Sequence, residues 1–271
     1  MSSTMSATPQ HLLLPLSAFV TCAALHIIAL KLFPQLGLTD FPERYGHKRA
    51  PLPYPTGCLA IGTFLLYLII SNTWGTQALG MVLGIMILAV YSFIDDRQPT
   101  PSWIRLAVQV LVAILIFATG SRIYTITNPL DGLAGLGALI KLDTIDIQTI
   151  GFGPLPLWSG VFTIVWLGLT INALNWFDGI PGQVSSLSTI GFLTIGLLAL
   201  SDRVHQPDLA LIALLLAGVS AACLLFDFPT NQVLMGDTGA MFFGLMLGVL
   251  TIYAGGKLAT AFLVLGVPLI D

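Results

Sequence analysis

The sequence predicts an all-α fold, a polytopic bundle of about nine transmembrane helices in one integral-membrane domain spanning residues 1–271. Of its 271 residues, 56% are hydrophobic and only 8% are charged, and its mean hydropathy is +0.92. A soluble domain carries about a quarter charged residues. The apolar residues also form runs of about 20, the length that a helix needs to cross a bilayer. We therefore expect lipid to be the solvent of most of this chain.

The apolar runs divide the chain into spans. They lie at residues 11–33, 54–72, 76–94, 102–119, 157–174, 184–200, 208–226, 239–254 and 257–271. The last two are short and meet at Gly255-Gly256, so their limits are the least defined. Residues 120–156 form the longest polar connection, and its alternation of isoleucine with polar residues is compatible with a short strand pair.

Alternation of the spans sorts the connections onto two sides. With the N-terminus outside, the connections after spans 1, 3, 5 and 7 face the cytoplasm, and they contain DFPERYGHKRAPLPYPTG, DDRQPTPSW, NWFDGIPG and DFPTNQVLMGDTG. The turns on the other side of the membrane are SNTWGT, SDRVHQP and AGGK, and they contain few candidate functional residues. Basic residues show a modest bias toward the first side, which is the cytoplasmic side in the plasma membrane. We therefore expect a functional site at the cytoplasmic face of the inner (plasma) membrane.

Asp95 and Asp96 end the third span. Carboxylates at a membrane face are costly unless they are solvated or paired. Two adjacent carboxylates can bind a divalent cation, or one can act as a base whose pKa its neighbour raises. An ordinary solvated helix cap is the alternative interpretation.

The stretch NALNWFDGIPG places three oxygen-bearing side chains at the end of the fifth span. Asn172 and Asn175 are three residues apart and share a helix face, and Asp178 follows three residues later. Hard oxygen ligands of this kind suit Mg²⁺, which keeps several waters and uses few protein ligands. A helix-end cap would account for one asparagine but not for the whole set.

Two further loops carry candidate residues. Asp237 lies in MGDTG just before a new helix, where it could be a plain N-cap or part of a phosphate-binding helix start, and Asn231 lies in the same loop. In the first loop, Lys48 and Arg49 belong to a basic cluster ahead of a proline-stiffened turn. Such cations can hold phosphates, or they can set topology and attract lipid headgroups.

Together these loops predict chemistry on a charged phosphate compound with a membrane-bound partner. The sequence has no P-loop, GxSxG or HExxH motif. A net charge of −3 gives no argument for nucleic acid. The acids lie at span ends and not at span centres, which argues against a transporter with an intramembrane ion pathway.

The set of loops resembles the polyprenyl-phosphate N-acetylhexosamine-1-phosphate transferases, which include the initiators of O-antigen and teichoic-acid synthesis and the phospho-MurNAc-pentapeptide translocase. The resemblance covers nearly the whole chain and rests on FIDD (93–96), NALNWFDG (172–179) and MGDTG (235–239), in order and on alternate loops. It implies transfer of a sugar-1-phosphate from a UDP-sugar to undecaprenyl phosphate, with release of UMP, at the start of cell-envelope polysaccharide (lipopolysaccharide or cell-wall) synthesis. A homodimer is left open.

The resemblance also implies roles for individual residues. Asp237 is expected to be the principal Mg²⁺ ligand and Asn175 the second, with Mn²⁺ as a possible substitute. Asp95 is expected to orient the attacking phosphate or take its proton. The remaining expected roles are catalytic for Asp96 and Asp178, and substrate-binding for Asn172, Lys48, Arg49 and Asn231.

The chain departs from the family pattern at several points. Pro181 stands where the family repeats an acid or amide, and Gly57-Cys58 replaces the usual Gly-Gly. A histidine-rich loop of the family would begin after Asp271. These departures leave an alternative: a truncated, catalytically inactive relative that binds lipid phosphate or protein partners.

Overall fold

The computed structural model describes residues 9–46, 49–73, 75–127, 139–149 and 153–254. These residues form eight α-helices: α1 Gln10–Gln35, α2 Gly57–Ser71, α3 Thr76–Arg97, α4 Ser102–Ala118, α5 Leu157–Trp176, α6 Gln183–Leu200, α7 Pro207–Asp227 and α8 Gly236–Tyr253. The all-α prediction is confirmed. Six of these helices are long and apolar enough to cross a membrane, and α2 and α4 are shorter apolar helices. The predicted span 257–271 lies outside the described residues, so the count of nine spans stays a prediction.

Several helices begin or end at different residues from the apolar runs. Helix α3 continues to Arg97, and therefore carries Asp95 and Asp96 in its last turn. Helix α8 starts at Gly236 and places Asp237 in its first turn. Both differences arise because polar residues at these helix ends have hydrogen-bond or ion-pair partners in other parts of the chain. The acids consequently lie on rigid helix ends.

Helix α8 is the centre of the bundle. Within an 18-residue window, 89% of it is buried, and it contacts α2, α3, α5, α6 and α7. Phe242 packs against Phe64 of α2 with ring centroids 5.7 Å apart. A Cβ atom on Gly244 would lie 2.6 Å from the main-chain oxygen of Thr170, so the absent side chain lets α5 approach closely. Small residues at helix crossings are typical of packing in membranes.

The outside of the bundle is apolar. Helix α1 is only 22% buried, and it exposes large side chains such as Leu12, Leu16 and Val20. Trp103 and Trp176 are exposed at helix ends, where interfacial aromatic belts occur in membrane proteins. This surface fits a lipid environment.

The long connection between α4 and α5 contains two antiparallel hairpins. Strands β1 Thr125–Thr127 and β2 Leu139–Lys141 pair with each other, as do β3 Asp146–Thr149 and β4 Gly153–Pro156. A 3₁₀ turn, Pro42–Tyr45, lies in the connection between α1 and α2. The strand pair expected in residues 120–156 is therefore present as two short pairs.

Candidate functional site

The connections after α1, α3, α5 and α7 meet at one end of the bundle, called here the acidic end (described residues 36–46, 49–56, 98–101, 177–182 and 228–235). The first and last of these connections pair through their main chains. Leu234 donates to the carbonyl of Pro53 at 2.9 Å, Thr56 to Leu234 at 2.9 Å, and Gly57 to Met235 at 3.0 Å. This pairing fixes the start of α8 beside the start of α2.

Asp96 joins α3 to the start of α8. Its carboxylate accepts four hydrogen bonds: from the Tyr54 hydroxyl at 2.7 Å, the main-chain nitrogens of Asp237 at 2.9 Å and Thr238 at 3.0 Å, and the Thr238 hydroxyl at 2.5 Å. The first N–H groups of a helix have no partner within the helix and favour an anion. Asp96 therefore caps α8 from a distant part of the sequence.

Gly236 makes this cap possible. Its φ is +76°, a conformation that glycine adopts readily. A Cβ atom at this position would lie 2.7 Å from Oδ2 of Asp96. The structure thus explains why glycine occupies position 236 of MGDTG, which the sequence alone did not.

Asp95 is buried, with 4% of its surface exposed. Its Oδ1 accepts hydrogen bonds from the Thr100 main-chain nitrogen at 2.7 Å and from the Thr100 hydroxyl at 2.6 Å. Its Oδ2 pairs with Nη2 of Arg105 at 2.5 Å. The adjacent carboxylates of FIDD therefore point to different partners, since Asp96 faces α8 and Asp95 faces α4.

Arg105 gathers three oxygen-bearing side chains around one positive charge. Besides Asp95, its Nη2 pairs with Oδ2 of Asp237 at 3.0 Å. Asn175, with its amide oriented to satisfy both neighbours, accepts from Nη1 of Arg105 at 3.2 Å and donates to Oδ1 of Asp237 at 3.1 Å. We call Asp95, Asn175 and Asp237 the oxygen cluster; they come from α3, α5 and α8.

The oxygen cluster fits a hard divalent cation. Two carboxylates and one amide oxygen face the same cationic group, which is the donor chemistry that Mg²⁺ prefers. No group of three or more His, Cys, Asp or Glu residues that could hold a metal occurs in the described part of the chain. A cation here would therefore keep positions for water or phosphate. The ligand roles of Asp237 and Asn175 stay predictions.

A cleft of about 510 Å³ opens beside the oxygen cluster and shares Asp237 with it. That volume is within the usual range for small-molecule sites. Among the described residues, the carboxylates that line it are Asp40, Asp96, Asp178, Asp227 and Asp237, and the arginines are Arg49 and Arg97. A ligand with both a cation and phosphate groups would match this mixture of charges.

Asp178 lies at the mouth of the cleft, where its side chain reaches solvent. Desolvation by the surrounding protein raises the pKa of its carboxyl well above the usual range, and the charge of Asp227 and then those of Asp237 and Asp96 add to the rise.

Sequence reasoning missed Asp227 and Arg105 as members of the site. Asp227 is 7% exposed, lines the cleft, and accepts a hydrogen bond from the Ser185 hydroxyl at 2.7 Å. Each lies close to the end of an apolar run, as Asp95 does, and that position was the available signal. Asp227 is the first residue of the connection DFPTNQVLMGDTG, in which the motif around Asp237 drew the attention.

Asn231 also lines the cleft. It has a positive φ of 41°, and its Oδ1 is buried without a hydrogen-bond partner. Buried polar atoms are nearly always paired. This oxygen is therefore available to a donor on a bound molecule.

Asn172 lies deeper in the bundle, and its contacts are with helices. Its amide donates to Oε1 of Gln109 at 2.6 Å and to the carbonyl of Gly168 at 2.7 Å, and its Oδ1 accepts from Gln109 at 3.3 Å. These bonds fix α5 against α4 one turn below Arg105. Its predicted contact with substrate is untested.

Arg49 lines the cleft and forms an ion pair with Asp40. Its Nη2 lies 2.6 Å from Oδ2 of Asp40, which is itself buried and accepts from the main chain of Leu52 at 2.7 Å. Arg49 remains 35% exposed and lines the cleft. Lys48 lies outside the described residues.

The helices and the acidic end are those of an integral membrane protein with carboxylates, amides and arginines gathered at one end of its bundle. The comparison with protein families makes this specific. The chain belongs to glycosyl transferase family 4, whose model matches residues 78–255. The matched region includes all three members of the oxygen cluster.

Individual relatives agree with the family. The chain is 27% identical over 203 residues to a probable undecaprenyl-phosphate N-acetylglucosaminyl 1-phosphate transferase of Bacillus subtilis, covering 72% of this chain and 51% of that protein. It is 28% identical over 217 residues to a phospho-N-acetylmuramoyl-pentapeptide-transferase of Lacticaseibacillus paracasei, covering 76% and 62%. A decaprenyl-phosphate N-acetylglucosaminephosphotransferase of Mycolicibacterium smegmatis is 28% identical over 185 residues, covering 66% and 41%. The chain therefore spans about half of the length of these relatives.

Proposed function

We propose that this protein transfers an N-acetylhexosamine-1-phosphate from a UDP-sugar to a polyprenyl phosphate, most simply undecaprenyl phosphate, and releases UMP. The phosphate oxygen of the lipid attacks the β-phosphorus of the donor, and the bond from that phosphorus to the UMP oxygen breaks. The names of the relatives support sugar-phosphate transfer onto a polyprenyl phosphate. The identity of the donor rests on the resemblance of the motifs.

One observation carries the proposal. Side chains of three motifs far apart in sequence meet at one end of a membrane bundle: Asp95, Asp237 and Asn175 share Arg105. Asp96 also accepts a hydrogen bond from the main chain of Asp237. A membrane-bound phosphate can reach this place from the bilayer, and a soluble donor can reach it from the aqueous side. This geometry suits phosphoryl transfer, in which positioning and charge neutralisation provide most of the catalysis.

The oxygen cluster is the proposed metal site. Asp237, Asn175 and Asp95 would hold Mg²⁺, which supplies neutralisation of the pyrophosphate and of the departing UMP. Mn²⁺ has similar preferences for oxygen ligands. Asp95 also orients the attacking phosphate, which is already mostly ionised at pH 7, so that placement matters more than basicity.

Other residues have supporting roles in this proposal. Asp96 uses its carboxylate to hold the start of α8 and so positions Asp237. Asp178 and Asn231 contact the nucleotide end of the donor, because one lies at the mouth of the cleft and the other offers an unpaired oxygen. Arg49, held by Asp40, contacts a phosphate at the rim.

Incorporation of label tests the proposal. Purified protein is given undecaprenyl phosphate, Mg²⁺ and UDP-N-acetylglucosamine labelled in the sugar, and label is counted in the lipid fraction. We expect incorporation that depends on Mg²⁺ and is lost in Asp237→Ala. Asp208→Ala, which changes an exposed acid outside the acidic end, is the matched control. Absence of label with each UDP-N-acetylhexosamine tried would refute the transferase.

A binding protein without turnover is the second candidate. It is favoured by Pro181, which lines the cleft where the family pattern has an acid or amide. Such a protein would retain a labelled polyprenyl phosphate in a pull-down but transfer no sugar to it. Restoring an acid with Pro181→Asp would then leave transfer absent, whereas a transferase with reduced donor affinity would gain a lower KM.

A further inference from the structure

The arrangement around Arg105 has the form of an occupied cation site. Its guanidinium is 2.5 Å from Asp95, 3.0 Å from Asp237 and 3.2 Å from the amide oxygen of Asn175. These three oxygens are the same ones that Mg²⁺ would need. Oδ2 of Asp95, Oδ2 of Asp237 and the amide oxygen of Asn175 all point at the guanidinium, which stays protonated. A divalent cation can bind these atoms together only if the guanidinium moves away.

We propose that Arg105 is an internal counter-ion that holds the metal ligands together in the metal-free protein and is displaced when a divalent cation binds. The inference rests on the metal role given to the oxygen cluster in the proposed function. It assigns Arg105 as a positioning residue, which acts through Asp95 and Asp237.

Electrostatics explains why a resident cation is needed. Asp95 is buried, and Asp237 is directed at the same guanidinium. Two carboxylates that share a site repel each other, and burial disfavours their charged forms further. A positive charge between them offsets this repulsion, and removing it without replacement would leave the pair uncompensated.

The hydrogen bonds of Arg105 are incomplete. Its Nε is buried and has no partner, although buried donors are nearly always satisfied. The terminal nitrogens thus have good acceptors while the inner nitrogen has none. The unpaired Nε lowers the cost of moving the side chain away from this position.

Other arginines at helix ends behave differently. Arg97 donates to the carbonyls of Thr39 and Gly37, and Arg122 donates to the carbonyl of Phe117. Within the described residues, Arg105 is the arginine whose ion pairs join two carboxylates. It lies in the first turn of α4, four residues from Gln109, whose bonds to Asn172 hold that helix in place. The helix therefore stays fixed while the side chain moves.

Displacement of Arg105 should affect the affinity of the protein for a divalent cation. In the metal-free protein, a divalent cation must compete with Arg105 for its ligands, so the metal binds more weakly than the ligands alone would allow. When phosphates arrive, they offer the released guanidinium a new partner. Metal binding and donor binding would then strengthen each other, which prevents tight capture of metal before the substrate is present.

Titration of Mn²⁺ tests this inference in the absence of donor and acceptor. The free-ion signal in electron paramagnetic resonance gives the dissociation constant for purified protein in detergent. We expect Arg105→Gln to bind Mn²⁺ about tenfold more tightly than the wild type, because a like charge next to the ion is removed. Arg122→Gln, at the end of the bundle away from the acidic end, should bind as the wild type does, and adding Asp237→Asn to Arg105→Gln should abolish the gain.

Arg105→Lys is a second variant that tests the inference in case Arg105→Gln does not fold. It keeps the charge but loses the fork that contacts two carboxylates, so its affinity should fall between those of the wild type and Arg105→Gln. Thermal unfolding identifies which variants are folded. Unchanged or weaker Mn²⁺ binding in a folded Arg105 variant, or no binding in any of the proteins, would overturn the inference.

The Mn²⁺ titration contains no substrate, so its outcome is independent of the outcome of the transferase assay. Transfer of label together with unchanged Mn²⁺ affinity in the variants would remove the counter-ion role and leave the proposed function intact. Tighter Mn²⁺ binding without any transfer would keep the counter-ion role and remove the transferase. Where both hold, turnover of Arg105→Gln should fall while its metal affinity rises, a divergence that a merely structural role would not produce.

Discussion

The two ends of this helical bundle differ in chemistry more than in shape. The larger cavity, about 610 Å³, lies at the opposite end from the oxygen cluster and is lined by groups such as Asn72, Gln77, Gln206 and Tyr253. The smaller cleft at the acidic end is about 510 Å³ and brings several carboxylates together. Among the described residues lining the larger cavity, Asp208 is the one carboxylate. The size of a cavity is therefore a poor guide here, and the density of charged groups is a better one.

The ends also differ in how their connections are held. At the acidic end, the carboxylate of Asp96 accepts hydrogen bonds from a tyrosine, a threonine and two main-chain nitrogens. At the other end, neutral groups meet, as in the 2.5 Å contact between the hydroxyls of Ser121 and Tyr253. Hydrogen bonds to an ionised group are about twice as strong as neutral ones. The acidic end is thus preorganised, and substitutions there should separate loss of chemistry from loss of stability.

The largest effect should come from Asp237→Ala. It removes a proposed metal ligand and leaves Arg105 paired with Asp95 alone, so turnover should fall about 10²–10³-fold. Asp208→Ala, a matched acid-to-alanine change at the opposite end, should keep nearly normal turnover. The measurement is the initial rate of sugar-phosphate transfer at saturating donor. Equal rates in both variants would show that the two ends of the bundle do not differ in their contribution to turnover.

Asp95→Asn should also reduce turnover at least about 10²-fold, because its carboxylate would no longer place the acceptor phosphate or share a metal. The amide still fills the same space and can accept from Thr100, but the ion pair with Arg105 is lost, so the unfolding temperature should fall and rates are compared on folded protein. Single-turnover rates with the lipid acceptor in excess test the effect on chemistry. Near-normal rates would take Asp95 out of the mechanism.

Asp96 should behave in the reverse way to Asp95. Asp96→Ala would remove the acceptor of the Thr238 hydroxyl and of the first main-chain donors of α8, which should destabilise the fold by about 2–3 kcal/mol. The measurement is thermal unfolding in detergent. Asp96→Asn retains an acceptor oxygen and should recover part of the loss. A fold as stable as the wild type in Asp96→Ala would show that the cap contributes little.

The contrast between Asp95 and Asp96 shows how far sequence can take the argument. Their position at the end of a span predicted a site, and the structure places both there. Sequence could not assign them different partners, because Asp96 meets residues 141 and 142 positions away. Contacts at that separation depend on how the helices pack, and no local pattern encodes them.

The fold was easier to predict from the sequence than the site was. Long apolar runs predict helices directly, since a spanning segment must satisfy its own main chain in lipid. Arg105 and Asp227 were missed as site residues because each is a single charged side chain near a helix end. The side chain of Asn172 pairs with Gln109 in the structure, a contact that its sequence motif did not predict. The catalytic and ligand roles of the predicted residues are still predictions.

The smallest effect should come from Asn231→Ala. Its buried oxygen has no partner in the protein, so removing it costs the fold little and deprives the donor of one hydrogen bond. The KM for the UDP-sugar should rise several-fold, consistent with about 1 kcal/mol, while kcat changes little. Gln206→Ala, which alters an amide lining the cavity at the other end, is the matched control. A lower kcat at constant KM would instead place Asn231 in the chemical step, and no change in either constant would show that the donor does not reach this side of the cleft.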